Sequence, residues 1–471
     1  MRKTKIVCTI GPATDSEEKL RALCLAGMNV ARLNFSHGTH EEHQERINRI
    51  KKVREELGLP IAIMLDTKGP EFRIGKFRDG SVELREGDRF TLTTEQVEGD
   101  SSIVSVSYAG LAGELREGDT VLINNGLVEL RVLSCDGTAI QTEVVNGGVL
   151  SDRKSMAFPG KHIKMDYLSE QDRKDILFGV KNDVEFIACS FVSVRQDLED
   201  VKELIRSSNC ESTVELIAKI ENQAGVDNIE DICGSCDGIM VARGDMGVEV
   251  PFEKLPVIQK MLITKCRMLG KRVITATEML ESMIHNPRPT RAEASDVANA
   301  VFDGTSAVML SGETAAGEYP VEAVTAMARI CEETESAIDY RELFHSYEFR
   351  IKNETDAISH AACSMAIDID AKVIVACTLS GITARMISRF RSPTAIIGLT
   401  TDEKTWRRLA LSWNVTPVMC EVLPSTEVLF YTAKKIAVNT MSLAKNDRIV
   451  ITGGVTNGQS GNTNLIKVEY A

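Results

Sequence analysis

From Lys5 onward, short apolar runs of strand length alternate with longer stretches of helical periodicity. Lys5 to Ile10 reads as a strand closed by Gly11-Pro12. Asp15/Ser16 then caps a helix whose apolar positions are Leu20, Leu23 and Leu25. The second run is Val30 to Gly38, in which Arg32, Asn34 and Ser36 alternate with Ala31, Leu33 and Phe35. Period two places the three polar side chains on one face of a strand. A helix is predicted from about Glu41 to Leu57, then a third strand from Ile61 to Asp66, ending Thr67-Lys68-Gly69-Pro70. This β-α-β-α rhythm implies a parallel sheet.

The rhythm stops at 70–167. Gly-Asp, Asp-Gly and Asn-Gly turns recur there (Asp79-Gly80, Gly87-Asp88, Gly118-Asp119, Asp136-Gly137, Asn146-Gly147) between short alternating runs such as Thr120 to Val132. The pattern predicts a small antiparallel β domain inserted into the α/β unit. It begins just after a strand's C-terminal end, where loops carry function. From about Leu168 the first rhythm returns, with strands predicted at 186–191, 215–220, 238–243, 272–277 and 307–312. Together with the first three they make eight strand–helix units, the number that closes a (β/α)8 barrel. Thr290-Arg-Ala-Glu293 is a capping box, opening a helix that ends near Asp303-Gly304. Tyr340 to Asp356 is polar and aperiodic and is expected to be a linker. Strands at 372–377, 395–399, 415–419, 448–452 and 465–468, with helices between them, predict a separate open α/β domain. The fold expected is thus α/β: a (β/α)8 TIM barrel (1–69 and 168–342), an inserted small β-barrel lid (70–167) and a C-terminal open α/β domain (343–471).

Composition narrows the function. The 471 residues carry 55 Lys+Arg against 68 Asp+Glu, a net charge of −13. That argues against nucleic acid or an anionic membrane as the main partner, so an anionic substrate needs a local basic pocket. No apolar run reaches membrane-span length. The N-terminus reads as a strand almost at once, so no signal peptide is expected. Cys8, Cys189 and Cys377 fall inside apolar strand-like runs, and Cys233-Gly-Ser-Cys236 lacks the second ligand pair of a zinc site. A reducing, cytoplasmic compartment is expected.

Polar residues gather where the barrel strands end. These are Arg32, Asn34 and Ser36; Asp66 and Thr67; Ser190; Lys219 and Glu221; Asp245; Thr277; Ser311 and Glu313. Singly, each reads equally as a turn or cap residue. As a set they mark the C-terminal mouth of the barrel, where active sites of this fold lie. Lys219 and Glu221 share a strand face, and Asp245 follows Gly244 just past the next strand. One cation and two carboxylates suit Mg²⁺ or Mn²⁺ beside an anionic substrate, because Mg²⁺ takes one or two carboxylates and completes its shell with water and substrate oxygens. Asn34, Ser36, Asp66 and Thr67, neutral oxygens with one carboxylate, suit a monovalent cation.

The runs Arg32-Leu-Asn-Phe-Ser-His-Gly38, Leu65-Asp-Thr-Lys-Gly-Pro-Glu71, Ala218-Lys-Ile-Glu-Asn222, Met240-Val-Ala-Arg-Gly-Asp245, Asn286-Pro-Arg-Pro-Thr-Arg-Ala-Glu293 and Val308-Met-Leu-Ser-Gly-Glu-Thr314 resemble the pyruvate kinase family across essentially the whole chain. The resemblance implies transfer of a phosphoryl group from phosphoenolpyruvate to ADP, giving pyruvate and ATP. It implies Lys219 beside the transferring group, Glu221 and Asp245 on Mg²⁺, Arg32 on the substrate phosphate, and Gly244 and Thr277 against the substrate. Asn34, Ser36, Asp66 and Thr67 match the family's K⁺ ligands, and Glu71 the acidic position that accompanies K⁺ dependence. Arg73 and Lys154 match nucleotide contacts from the lid; Asn34 and His37 fall in the same nucleotide stretch, though His37 reads equally as a turn residue. Thr277 and Ser311, acting through water, are the candidates for protonating the enolate. Thr378, Ser380, Gly381 and Thr383, on a loop that opens a helix, match the cradle for the phosphate of an allosteric activator. A Thr452-Gly-Gly…Gly461 loop is expected to close over the same ligand, and a homotetramer is implied.

This chain departs from the family pattern at Asn124-Asn125 (usually an acidic pair), Ala157 (usually Asn), Glu278 (usually Gln) and Ser306 (usually Asp). Two other functions stay open on residues alone: a metal-dependent lyase or aldolase acting on pyruvate enolate, and a non-catalytic sensor of phosphorylated metabolites. The inserted domain favours a kinase, since a lyase has no nucleotide to cover. Intact Lys219, Glu221 and Asp245 argue against the sensor.

Overall fold

In the computed structural model, residues 2–161, 163, 165–208, 213–422, 424–454 and 463–471 are described. Eight parallel strands close into a barrel: β1 (Lys5–Thr9), β2 (Val30–Asn34), β3 (Ala62–Asp66), β4 (Phe186–Cys189), β5 (Glu215–Ile220), β6 (Gly238–Ala242), β7 (Arg272–Ala276) and β8 (Ala307–Leu310), with β8 pairing back onto β1. The strands are largely apolar on both faces because both are covered. Val7, Met64, Phe186, Ile217, Met240 and Met309 belong to the core inside the barrel, while Ile6, Leu33, Ile63 and Ala218 face the helices.

The helices start and stop where local chemistry dictates. Ser16 caps Glu17–Ala26, with its hydroxyl accepting from the Lys19 amide. Thr290 and Glu293 form a full capping box on Arg291–Asp303, which stops at Gly304 with φ 92°. In the first helix Leu20, Leu23 and Cys24 are buried, whereas Leu25 is 69% exposed. At 100° per residue Leu25 turns off the face that Leu20 and Leu23 define, so the expected apolar role of Leu25 is corrected. The second strand also ends earlier than expected, at Asn34; residues 35–38 turn back, with the His37 carbonyl accepting from His43 Nε2 at 2.8 Å.

The insertion folds as a seven-stranded sheet in the order Phe72–Arg73, Ser155–Ala157, Thr120–Ile123, Val128–Asp136, Ala139–Asn146, Arg89–Thr93, Ile103–Ser105. An antiparallel bridge between Ile74 and Val106 joins the two edges, so the sheet closes on itself around Phe90, Leu92, Val121, Leu130 and Ile140.

The C-terminal unit is a five-stranded sheet built from β9 (Val373–Cys377), β10 (Ala395–Thr400), β11 (Val415–Met419), β12 (Arg448–Gly453) and β13 (Leu465–Tyr470), in the order β11-β10-β9-β12-β13. Only β13 runs antiparallel to its neighbour among the described pairings. The segment expected to be a linker is not featureless: Tyr340–Ser346 is a helix. Asp339 caps it, accepting from the amides of Arg341 and Glu342, and Tyr340 and Phe344, four residues apart, are buried on one side. Two apolar anchors in seven residues are too few to show as periodicity. No helix among the described residues is long and apolar enough to cross a membrane.

The C-terminal unit seals the N-terminal end of the barrel. Leu411 packs into the barrel's interior core, and Lys5 Nζ donates to the Val415 carbonyl at 2.8 Å. Burial, and then Arg2, pushes the Lys5 ammonium down to about 7, with Glu335 opposing. The unfolded chain therefore binds more protons than the native one between about pH 7 and the ordinary Lys value, and stability rises with pH across that window. Lys5→Met is expected to flatten this rise, which thermal melts of both proteins from about pH 7 to about pH 10 will show.

Candidate active site

Lys219 lies near the C-terminal end of β5, 8% exposed, among three oxygens. Its Nζ is 3.0 Å from Asp66 Oδ1, 3.1 Å from Glu221 Oε1, and donates to Ser190 Oγ at 2.7 Å. These come from the ends of β3, β4 and β5, strands that are neighbours in the barrel. Burial alone would favour the neutral amine; Asp66 and Glu221 outweigh it and hold Lys219 above the usual Lys range. The group is a positive charge held between two carboxylates.

Asp66 is shared between two cations. Arg32 Nε donates to its Oδ2 at 2.6 Å and Lys219 holds Oδ1, while Arg32 Nη1 reaches Thr9 Oγ1 at 2.9 Å. Burial would raise Asp66, yet Arg32 and Lys219 together keep it below the usual carboxylate range. The β2–β3 register sets Asn34 beside Asp66. Asn34 Oδ1 accepts from the Ser36 amide at 3.1 Å, Ser36 and His37 are exposed, and Thr67 Oγ1 accepts from the Ser190 amide at 3.2 Å. The Asn34, Ser36, Asp66 and Thr67 oxygens therefore lie at two adjacent strand ends.

Glu221 is fully buried and accepts from the Phe191 amide at 2.6 Å. Its other oxygen, Oε1, has no hydrogen bond in spite of its 3.1 Å approach to Lys219. Burial raises this carboxyl to about 7; Lys219 opposes the rise, and Asp245 and Asp66 add to it. Asp245 sits in the first turn of the helix Arg243–Glu249 and is exposed. An orphaned buried carboxylate oxygen near a second, open carboxylate is a donor set that fits Mg²⁺, which needs few protein ligands. Among the described residues, no group of three or more His, Cys, Asp or Glu would hold a metal alone, and Cys233 and Cys236 are buried thiols.

The next strand end is held by a clamp that sequence reasoning missed. Thr277 and Glu278 both have positive φ, 67° and 54°. Two successive non-glycine residues in that region cost about 1–3 kcal/mol each and persist only where the surroundings impose the conformation. Arg243 imposes it: Nη2 donates to the carbonyls of Thr277 (2.5 Å) and Glu278 (3.0 Å), and Nη1 is bidentate to Asp296 at 2.8 and 2.7 Å. The turn aims Thr277 Oγ1 so that it accepts from the Gly244 amide at 2.8 Å. Glu313 completes the rim, accepting from the amides of Leu280 (3.0 Å) and Ser311 (2.7 Å). Ser311 Oγ is buried with no partner. The only advance sign of Arg243 was a charge directly after an apolar strand; its target, a backbone turn, leaves no trace in sequence.

Above the mouth, a cavity of about 350 Å³ separates the inserted domain from the barrel. Arg73, Lys154 and Asn124 line it from the lid, and Asn222, Asp245 and Glu249 from the barrel. Arg73 is tied to Glu71, Nε to Oε2 at 2.8 Å. Glu249, also missed, is raised to about 7 by burial, with Asp245 adding to the rise. Three residues that depart from the family pattern, Asn124, Asn125 and Ala157, line this cavity. Asn124 and Asn125 take φ 56° and 55° in the tight turn before Val128, a conformation Asn tolerates well. His37 is not part of the cavity lining.

The activator candidates lie in the C-terminal unit, apart from this mouth. Gly381, at φ 82°, donates its amide to Thr378 Oγ1 at 3.0 Å; Thr383 is buried, its hydroxyl 2.6 Å from that of Thr463. Residues 455–462, which include Gly461 of the expected closing loop, lie outside the described residues.

Known proteins resemble the chain over its whole length. A family model described as the pyruvate kinase barrel domain matches residues 1–324, and one described as the pyruvate kinase alpha/beta domain matches residues 356–469. The chain is 48% identical to a pyruvate kinase of Sporosarcina psychrophila, over 99% of this chain and 80% of that one. It is 45% identical to a pyruvate kinase of Clostridium acetobutylicum, over 100% and 99% of the two chains. A crystal structure of a pyruvate kinase from Cryptosporidium parvum superposes with a TM-score of 0.95 at 39% identity, covering 100% of this chain and 96% of that one. The chain belongs to the pyruvate kinase family.

Proposed function

We propose that this chain transfers the phosphoryl group of phosphoenolpyruvate to the β-phosphate of ADP, giving ATP and, after protonation of the enolate, pyruvate. The observation that carries the reading is Lys219, a buried ammonium held by Asp66, Ser190 and Glu221 at the barrel mouth beneath the lid cavity. Phosphoryl transfer needs little covalent help, so positioning and charge neutralisation supply most of the catalysis. Arg32 binds the substrate phosphate. Lys219 faces the transferring group and the enolate oxygen, where negative charge develops. Gly244 and Thr277 hold the substrate. Arg73 and Lys154 hold the nucleotide phosphates from the lid, with Asn34 and His37 on the barrel side, and lid closure excludes water. Thr277 and Ser311 relay a proton to the enolate carbon through water.

Glu221 and Asp245 would hold Mg²⁺ or Mn²⁺, which neutralises substrate carboxylate and phosphate when bound. Asn34, Ser36, Asp66 and Thr67 would hold K⁺. The same reading takes in a cytoplasmic homotetramer with a phosphorylated activator at Thr378, Ser380, Gly381 and Thr383.

A coupled assay with phosphoenolpyruvate, ADP, Mg²⁺ and K⁺ tests the proposal. ADP-dependent pyruvate formation is expected. Turnover without ADP would point to the lyase, and none under any condition to the sensor. Replacing K⁺ by tetramethylammonium at constant ionic strength is expected to lower the rate sharply. An unchanged rate would remove the monovalent site.

A further inference from the structure

At the opposite end of β7 from Thr277, where the barrel meets the C-terminal unit, cations crowd a second cavity. It measures about 10 Å³ and is lined by Arg267, Lys271, Arg272, Arg385, Arg389 and Arg391. Three of these have carboxylates. Arg272 lies 2.5 Å from Glu215, Arg385 lies 3.6 Å from Glu215 and 3.4 Å from Asp237, and Arg389 lies 3.3 Å from Asp356. Among the described residues, the other three have no ion pair. Lys271 donates to the Cys236 carbonyl at 2.6 Å. Arg391 donates to the carbonyls of Ser388 (3.0 Å) and Gly304 (2.8 Å) and to Ser306 Oγ (3.1 Å).

Arg267 and Arg391 are each 2% exposed. Nε and Nη2 of Arg267 and Nε of Arg391 are buried without an acceptor. Burial first, and then Arg267, pushes Arg391 down to about 9, with Tyr340 and Glu335 opposing without offsetting it. A guanidinium does not escape this by losing its proton. The surroundings ease the cost only in part. Tyr347 lies under Arg267 at 4.2 Å and Trp413 under Arg391 at 4.5 Å. The helices Leu255–Met268, Arg291–Asp303 and Ile382–Arg389 end nearby with the negative ends of their dipoles. Neither feature supplies an acceptor to the three unmet donors.

We propose that this cavity binds a small monatomic anion, a halide such as chloride, between Arg267 and Arg391, and that the anion ties the barrel to the C-terminal unit. The volume is small, on the scale of a single bound ion or water molecule. Ser306 gives the site its logic. Its hydroxyl is the side-chain acceptor 3.1 Å from Arg391 Nη2, and it carries no charge to offset the guanidinium. A carboxylate there would meet the same guanidinium. The anion takes its place.

Two measurements on the full chain decide this. Crystals soaked in sodium bromide, with data collected at the bromine edge, are expected to show an anomalous peak in the cavity. Its absence overturns the proposal. Thermal midpoints in sodium chloride and sodium gluconate at equal ionic strength are expected to differ by about 2 °C in favour of chloride. Equal midpoints overturn the proposal, and with a bromide peak they mean an adventitious ion only. Ser306→Asp is expected to remove the chloride advantage while leaving turnover intact, and Arg267→Met to remove both the advantage and the bromide peak. A full chloride advantage in a folded Ser306→Asp or Arg267→Met protein places the effect elsewhere and overturns the assignment; the wild-type results decide alone if neither variant folds.

Discussion

Lys219→Met is expected to lower kcat by about 10³-fold or more, the scale on which removal of a preorganised charge-stabilising group acts. Methionine keeps the length and the apolar stem, so packing in β5 is retained. The lost ammonium leaves Asp66 with Arg32 at 2.6 Å, whereas Glu221 is left buried without its nearest cation. Glu221, already raised to about 7, moves higher, and its metal affinity falls at neutral pH because a proton competes. Phosphoenolpyruvate binding at saturating metal is expected to change little. Steady-state kinetics with Mg²⁺ titrated to saturation separate the two losses. A rate within about tenfold of the parent at saturating metal would remove Lys219 from its assigned role.

Arg243→Lys is the second large effect. Lysine keeps the charge but not the fork, so it satisfies at most part of the set formed by Asp296 and the carbonyls of Thr277 and Glu278. The left-handed pair then relaxes, Thr277 Oγ1 leaves the Gly244 amide, and the substrate surface shifts. A displacement of about 1 Å is enough for a loss near 10²-fold in kcat. Stability is expected to fall by about 2–3 kcal/mol as charge-assisted bonds are lost. A role in positioning requires kcat to fall more than KM rises, and the activity loss to persist at temperatures where the variant is fully folded. Equal stability loss with unchanged kcat would leave Arg243 as a structural residue only.

The element pattern was legible because most barrel strands are buried on both faces and read as short apolar runs, with caps such as Ser16 and Thr290 marking helix starts. Leu25 and the helix Tyr340–Ser346 were not legible, for one reason. A single leucine off the buried face, or two anchors in a short helix, carries too little periodicity to separate from background. At the site, Lys219, Glu221 and Asp245 stood out as charges at strand ends. The part Ser190 plays in holding Lys219, and Glu249 at the cavity wall, did not, since a serine and a helix glutamate are common everywhere.

Sequence by itself determined the order of strands and helices and which residue types stand at each strand end, because these follow from local periodicity and residue chemistry; the family was legible only through the resemblance of long motifs. Tertiary structure alone decided that Asp66 is shared by Arg32 and Lys219, that Arg243 holds Thr277 in a left-handed turn, and that Arg267 and Arg391 meet without a carboxylate. Those are contacts between residues tens to hundreds of positions apart. Only barrel closure and the docking of the C-terminal unit bring them within bonding distance, and burial then sets the strength of each charge.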